Sequence, residues 1–380
     1  MPVLEGPIKQ VKNLRNYING EWTEALSSQY REVVDPATMQ LLAKVPLSSA
    51  GEVNRAVEAA NEAFPRWRRT PPLARARYFF RLKDLLEEEF EELSRIGVME
   101  HGKTIDESRG ETRRGIENVE VAAGIPSLLM GYNLEDISPD IDECVIRNPL
   151  GVFACIAPFN FPFMVPLWFM PYAVATGNTY IVKPSPWTPI SQTRLFELID
   201  EADFPPGVIN MVHGDEEAVN AILRHPHIRG VSFVGSTRVG RDIIYRDGAA
   251  HGKRIQAQCG AKNFLVVTPD AVVDKSVASI MTSFFGNTGQ RCLSGSNLLI
   301  VGEDDFYQRL LGEVVKASAA IRIGYGLDES VQMGPLQAET RKQRVLGYIE
   351  KGLEQGAKFA LDAGITAISF YYFLNPFINF

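Results

Sequence analysis

Between residues 151 and 258 short apolar runs alternate with helix-period runs, and no other feature of the sequence limits the fold as strongly. "GVFACIA" is a continuous apolar run opened by glycine, as a strand buried on both faces should be. "MVPLWFMPYAVATG" follows as a helix ending at Gly177. The text continues with "TYIVKPS" (strand), "SQTRLFELIDEA" (helix), "GVINMVHG" (strand), "AVNAILRHP" (helix), "IRGVSFVGS" (strand) and "RVGRDIIYRDGA" (helix). Such alternation predicts a parallel, doubly wound α/β sheet. The strands near 152–157, 179–183, 208–212 and 230–234 should share it, with the Gly235 turn at its carboxyl edge.

The flanks extend this plan. "NYINGEW" predicts a hairpin, because Asn-Gly favours a type I′ turn. Ser49 to Glu52 forms a capping box, followed by Val53, Ala56, Val57, Ala60 and Phe64 at helical spacing. A second helix follows Pro71-Pro72, and its acidic run "LLEEEFEEL" reads as a solvated face. A third covers Thr104 to Ala123, and "DECVIR" alternates like a strand. After Gln258, "NFLVVTP" opens a second α/β unit, and 380 residues exceed one ordinary core.

Composition removes several function classes. The net charge of -7, without a basic run, argues against a nucleic-acid partner. Four widely spaced cysteines, with no CxxC, argue against zinc or a disulfide framework and fit a reducing, cytoplasmic setting. "MPVLEGPIKQVKNLRNYING" carries no targeting signal, and no apolar run is long enough to span a bilayer.

Three places can carry chemistry. Phe233 to Gly240, "FVGSTRVG", is a strand-to-helix turn bracketed by Gly235 and Gly240. A helix N-terminus there can bind phosphate, although GSTxxG is not GxGxxG and ordinary αβ turns share it. Lys183 ends a predicted strand and either reaches a ribose or phosphate at the sheet edge or is a surface lysine. Cys292, in "NTGQRCLSGS", is set among glycines and hydroxyls and looks presented; Arg291 beside it either favours its thiolate or is a surface charge. Cys155, in "FACIA", reads instead as buried and inert. The five histidines offer Cys292 no clear partner, which leaves a Cys–His hydrolase unsupported.

"APFNFP", "IVKPS", "SFVGSTRVG", "GAKNF", "GQRC" and "MGPL", in this order, resemble the aldehyde dehydrogenase superfamily over nearly the whole chain. "RRGIENVE", "IAPFNFP", "PLWFMP" and "HGKRIQA" resemble its CoA-acylating methylmalonate-semialdehyde dehydrogenase branch. The resemblance implies an NAD-binding domain over 1–128 and 147–258, a bridging hairpin used for oligomerisation over 129–146, and a catalytic domain from 259 to 380. It implies Cys292 as nucleophile, with the Asn160 amide and the Cys292 N–H as oxyanion hole. Ala157, Phe159, Lys183, Gly235, Ser236 and Gly240 would line the NAD site, bordered by Pro186, Trp187 and Gln258. Pro186 and Trp187 stand where the family usually shows a charged pair near the adenosine, so Trp187 can stack on adenine, and the usual polar ribose contact is not assured.

Gln258 stands where hydrolytic members carry a water-activating glutamate, which fits thioester release to coenzyme A. Arg291 and Arg114, with Arg113 as competitor, would grip a substrate carboxylate through guanidinium forks. The implied reaction converts methylmalonate or malonate semialdehyde to propanoyl-CoA or acetyl-CoA. The family suggests a homodimer or homotetramer. Its members continue beyond the position matching Phe380, and "GITAISFYYFLNPFINF" matches them loosely. An impaired chain that binds nucleotide or a partner subunit is therefore one alternative. A non-acylating NAD(P)-dependent dehydrogenase is another.

Overall fold

The computed structural model describes residues 6–361 and 378–379. The stretch 364–380 singled out above lies outside the described residues except for that last pair.

A seven-stranded sheet runs in the order Arg254–Gln258, Ile228–Val234, Val152–Ile156, Thr179–Lys183, Ile209–Met211, Asn16–Ile18, Glu21–Thr23. The first five strands are parallel, which includes all four expected ones. Asn16–Ile18 joins antiparallel and forms the hairpin with Glu21–Thr23, turning through Asn19 (φ 57°) and Gly20 (φ 79°). Both faces are covered. Val152, Ala154, Ile156 and Ile181 pack against Val53, Val57, Ala218 and Ile222. Cys155, Tyr180 and Val182 face Phe79, Leu82, Ile116 and Phe196. This alternation is the pleat of a doubly covered sheet.

Chain order reverses beside Val152–Ile156. The chain steps from it to Thr179–Lys183 on one side, and later to Ile228–Val234 on the other. A crevice opens at such a switch point, beyond the carboxyl ends of the two strands. Those ends release Ala157 and Gly235.

The second unit is a parallel pair, Asn263–Val267 and Gly295–Ile300. The helices Val273–Phe285 and Asp304–Ala319 share its core of Val267, Ile280, Phe284, Leu310 and Val314.

Four local expectations need correction. Arg254–Gln258 is a fifth parallel strand that the sequence pattern did not signal. The helix expected from Met164 to Gly177 is two, Met164–Leu167 and Met170–Ala175, because Pro171 has no N–H to continue the first. The acidic run breaks at Glu89 between helices and is not merely solvated: Glu87 meets Arg113 at 2.6 Å, Glu91 meets Arg109 at 2.9 Å, and Glu89 meets Arg194 at 3.3 Å. The strand expected over "DECVIR" ends at Cys144, in an exposed hairpin with Asn133–Ser138. Among the described residues no helix is long and apolar enough to cross a membrane.

Candidate active site

The loop after Val152–Ile156 carries Ala157 to Asn160, and buried charge holds it. Lys103 follows Gly102, whose φ of 94° caps the helix Phe90–His101. The Lys103 side chain is fully buried, pairs with Glu111, and donates to the Asn160 carbonyl at 2.8 Å. Its ammonium also lies 4.6 Å from the Phe161 ring centre. Glu111 Oε1 accepts the N–H groups of Phe163 and Met164 at 2.9 and 3.2 Å. One ion pair therefore holds both Asn160 and the residues that follow it, Phe163 and Met164.

The thiol-bearing turn docks on that loop. Asn287 and Thr288 both have φ of 55°, and Gly289 has 69°, a left-handed run that reverses the chain after Val273–Phe285. The Asn160 side-chain amide donates to the Gln290 carbonyl at 2.8 Å, and Asn287 Nδ2 donates to the Asn160 carbonyl at 3.3 Å. Asn263, at the start of its strand, donates to the carbonyls of Cys292 and Ser294 at 2.8 and 2.9 Å. Thr288 donates to the Gly334 carbonyl at 2.9 Å. Gly334 is required there, since a Cβ would fall 1.7 Å from the Gly102 carbonyl oxygen. Cys292 is thus pinned through backbone contacts while its side chain stays partly exposed. Cys155, by contrast, is buried, and burial pushes its thiol up to about 12.

At the other strand end, the Gly235 N–H donates to the Gln258 carbonyl at 3.1 Å, so Gln258 borders the same edge. The Gln258 side chain is exposed. Ser236 caps the following helix by accepting the Val239 N–H at 3.4 Å. Gly240 matters for packing rather than for turning: a Cβ would stand 2.3 Å from Cys259 Sγ.

Lys183 is not a surface lysine. It is 3% exposed, donates to the Gly214 carbonyl at 3.0 Å, and is pushed down to about 8 by burial, although Asp215 opposes the shift. His213 beside it is buried, and burial with the neighbouring Lys183 charge pushes it down to about 3, although the Arg15 backbone opposes the shift. A buried ammonium whose hydrogen-bond partner is a neutral carbonyl oxygen fits an anionic ligand at this edge.

Pro186 and Trp187 are half-buried beside it. The Trp187 ring already carries the Arg31 guanidinium at 3.9 Å and that of Arg341 at 5.6 Å. Phe159 lies between His101, stacked at 5.9 Å, and Arg341 at 3.4 Å.

The arginines separate. Arg113 is spent on both oxygens of Glu87, at 2.6 and 2.9 Å. Arg114 is exposed, with no carboxylate partner among the described residues. Arg291 meets Glu107 at 3.5 Å.

Sequence reasoning missed Lys103, Glu111, Asn263 and Glu107. Asn263 stood inside a quoted motif, but its role depends on a contact 29 residues away. The two charges at 103 and 111 carry no local sign that they point inward.

These features define a class: a two-unit α/β protein whose thiol-bearing turn is docked at the switch-point edge of a doubly wound sheet. The Aldehyde dehydrogenase family pattern matches residues 22–378. Malonate-semialdehyde dehydrogenase 3 of Geobacillus kaustophilus is 47% identical over 371 residues, 97% of this chain and 76% of its own. The malonate-semialdehyde dehydrogenase of Bacillus velezensis is 43% identical over 369 residues, 97% of this chain and 75% of its own. Among solved structures, a putative methylmalonate-semialdehyde dehydrogenase from Sinorhizobium meliloti complexed with NAD is 40% identical. It superposes with a TM-score of 0.89 over 93% of this chain and 72% of its own. The methylmalonate-semialdehyde dehydrogenase from Oceanimonas doudoroffii is 41% identical, with a TM-score of 0.89 over 92% and 71%. The chain belongs to the aldehyde dehydrogenase family.

Proposed function

We propose that this protein is an NAD-dependent, CoA-acylating dehydrogenase of malonate or methylmalonate semialdehyde, working through a thioacyl group on Cys292. The observation that carries the acylating part is Gln258. At the sheet edge, where a hydrolytic enzyme of this family would hold a carboxylate, stands an amide that cannot take a proton near neutral pH. The semialdehyde rests on the relatives' names and on Arg114 and Arg291.

In this reading the Cys292 sulfur attacks the aldehyde carbon, and the oxygen gains negative charge. The Cys292 N–H and the second N–H of the Asn160 amide are the donors offered to it, and preorganised donors of this kind are the largest electrostatic contribution to such steps. NAD, when bound, supplies the hydride acceptor. Ala157, Phe159, Lys183, Gly235, Ser236 and Gly240 would hold it, with Pro186, Trp187 and Gln258 at its border, and the Lys183 ammonium supplies a counter-charge for phosphate.

Loss of hydride leaves a thioester on Cys292. With no base at position 258, water attacks slowly, whereas a CoA thiolate is ionised in part and intrinsically nucleophilic. The Cys292 sulfur leaves as thiolate and the acyl group passes to CoA. The resembled reaction also removes the substrate's carboxylate, giving acetyl-CoA or propanoyl-CoA. The division into an NAD-binding domain over 1–128 and 147–258, a bridging hairpin over 129–146 and a catalytic domain from 259 accompanies this proposal, as does a homo-oligomer.

The test follows NADH with malonate semialdehyde, with and without CoA. Sustained turnover that requires CoA supports the reading. CoA-independent turnover at the same rate overturns it.

A further inference from the structure

Glu107 stands one turn before Glu111 on the helix Ile105–Ala123 and reaches the thiol-bearing turn. Its Oε2 accepts the Thr104 N–H at 3.0 Å and closes the helix cap. Its Oε1 accepts the Asn287 N–H and lies 3.5 Å from Arg291 Nη2. Arg291 adjoins Cys292, yet its guanidinium is folded back over Gly286, where an added Cβ would fall 2.6 Å from Cζ. Its Nε is buried with no partner. The guanidinium is therefore held by a carboxylate of the protein itself, at the long limit of a hydrogen bond, through one of its five N–H donors.

We propose that Glu107 is an internal counter-ion that competes with a substrate carboxylate for Arg291, and so sets how strongly the site selects anionic over neutral aldehydes. Glu107 is a positioning residue, acting through Arg291. Its two backbone donors keep it in place, so it cannot swing away when substrate arrives. A substrate carboxylate must share the guanidinium, taking the donors that Glu107 leaves open. The inference rests on the reading of Cys292 as nucleophile and Arg291 as carboxylate ligand.

The experiment uses the intact chain and needs no turnover. Cys292 is alkylated by iodoacetate, which carries a carboxylate, and by neutral iodoacetamide, and the Cys292 peptide is quantified by mass spectrometry. In both, the thiolate displaces iodide and an S–C bond forms, so the rate ratio reports only the charge preference of the site. Glu107→Gln keeps one acceptor oxygen and removes the competing charge. It should raise the iodoacetate-to-iodoacetamide ratio about two- to fivefold, the size expected of a partly exposed ion pair. Arg291→Gln should lower the ratio, and Glu107→Gln should add nothing in that background.

An unchanged or lower ratio in Glu107→Gln overturns the proposal, as does an equal rise without Arg291. A loop damaged by the substitution would show in the iodoacetamide rate alone, and Glu107→Asp, which keeps the charge, then provides the comparison: only a ratio at the natural value in Glu107→Asp is consistent with the charge acting. In turnover, Glu107→Gln should lower KM for malonate semialdehyde while KM for propanal holds. If the chain oxidises neither aldehyde, the proposed function fails while the alkylation ratios still decide the role of Glu107.

Discussion

Lys103→Met isolates the electrostatic part of the loop anchor. Methionine nearly matches the length of lysine and fills its place, so lost packing is small. What changes is charge: Glu111, only 2% exposed, loses its counter-ion, and the Asn160 carbonyl loses its 2.8 Å donor. Breaking one side of a buried pair costs about 3–5 kcal/mol, because the remaining charge is stranded. With an unfolding entropy near 2.1 cal/mol/K per residue, that cost lowers Tm by roughly 4–6 °C in a chain of this length. Activity should fall about tenfold, a fraction of the 10²–10³ seen when an oxyanion donor is removed outright, because Asn160 is loosened rather than deleted. The assay is thermal unfolding followed by tryptophan fluorescence, with NADH formation measured in parallel. Adding Glu111→Gln neutralises the stranded charge and keeps an acceptor for Phe163, so the double variant should recover more than half of the loss in Tm. A Tm within about 1 °C of the natural protein in Lys103→Met, or no recovery in the double variant, would refute the reasoning.

Three further predictions follow from the site. Gln258→Glu should raise CoA-independent hydrolysis of the thioester by up to about 10²–10⁴-fold, measured as free acid released, if the side chain reaches the acyl group. Arg114→Gln should raise KM for malonate semialdehyde but not for propanal, whereas Arg113→Gln, which removes contacts to Glu87 and Phe90, should leave both KM values unchanged. His213 is held neutral by burial, pushed down to about 3 from an unfolded value near 6.5. Its contribution is therefore full above pH 6.5 and lost as pH falls, by about 2 kcal/mol at pH 5, and His213→Asn should flatten that part of a stability-against-pH curve.

The parallel sheet was legible because its central strands are continuous apolar runs separated by glycine and helix-period text. Arg254–Gln258 was not, because it is the edge strand: "RIQAQ" keeps Ile255 and Ala257 half-buried and exposes the residues between them. The break before Pro171 was readable from the missing N–H, yet the apolar text on both sides hid it. Cys292 was visible through its glycine-rich surroundings, and Cys155 through its apolar run. Lys103 and Glu111 were invisible for a physical reason. A charge on a helix is usually solvated, and only the tertiary fold turns these two inward against the loop that carries Asn160. Lys183 shows the same effect, since a strand-end lysine reads as exposed until the neighbouring His213 loop covers it.

The central claim is that an acyl group rests on Cys292 and waits for CoA. It is tested most directly by mixing the protein with NAD and malonate semialdehyde without CoA, quenching in acid within seconds, and mapping the added mass by peptide mass spectrometry. The account predicts about one equivalent of NADH and an acyl mass on the Cys292 peptide, absent from the Cys144, Cys155 and Cys259 peptides and removed when CoA is added before the quench. Rapid NADH formation with no acyl mass on Cys292, or with free acid released as fast as NADH appears, would contradict it.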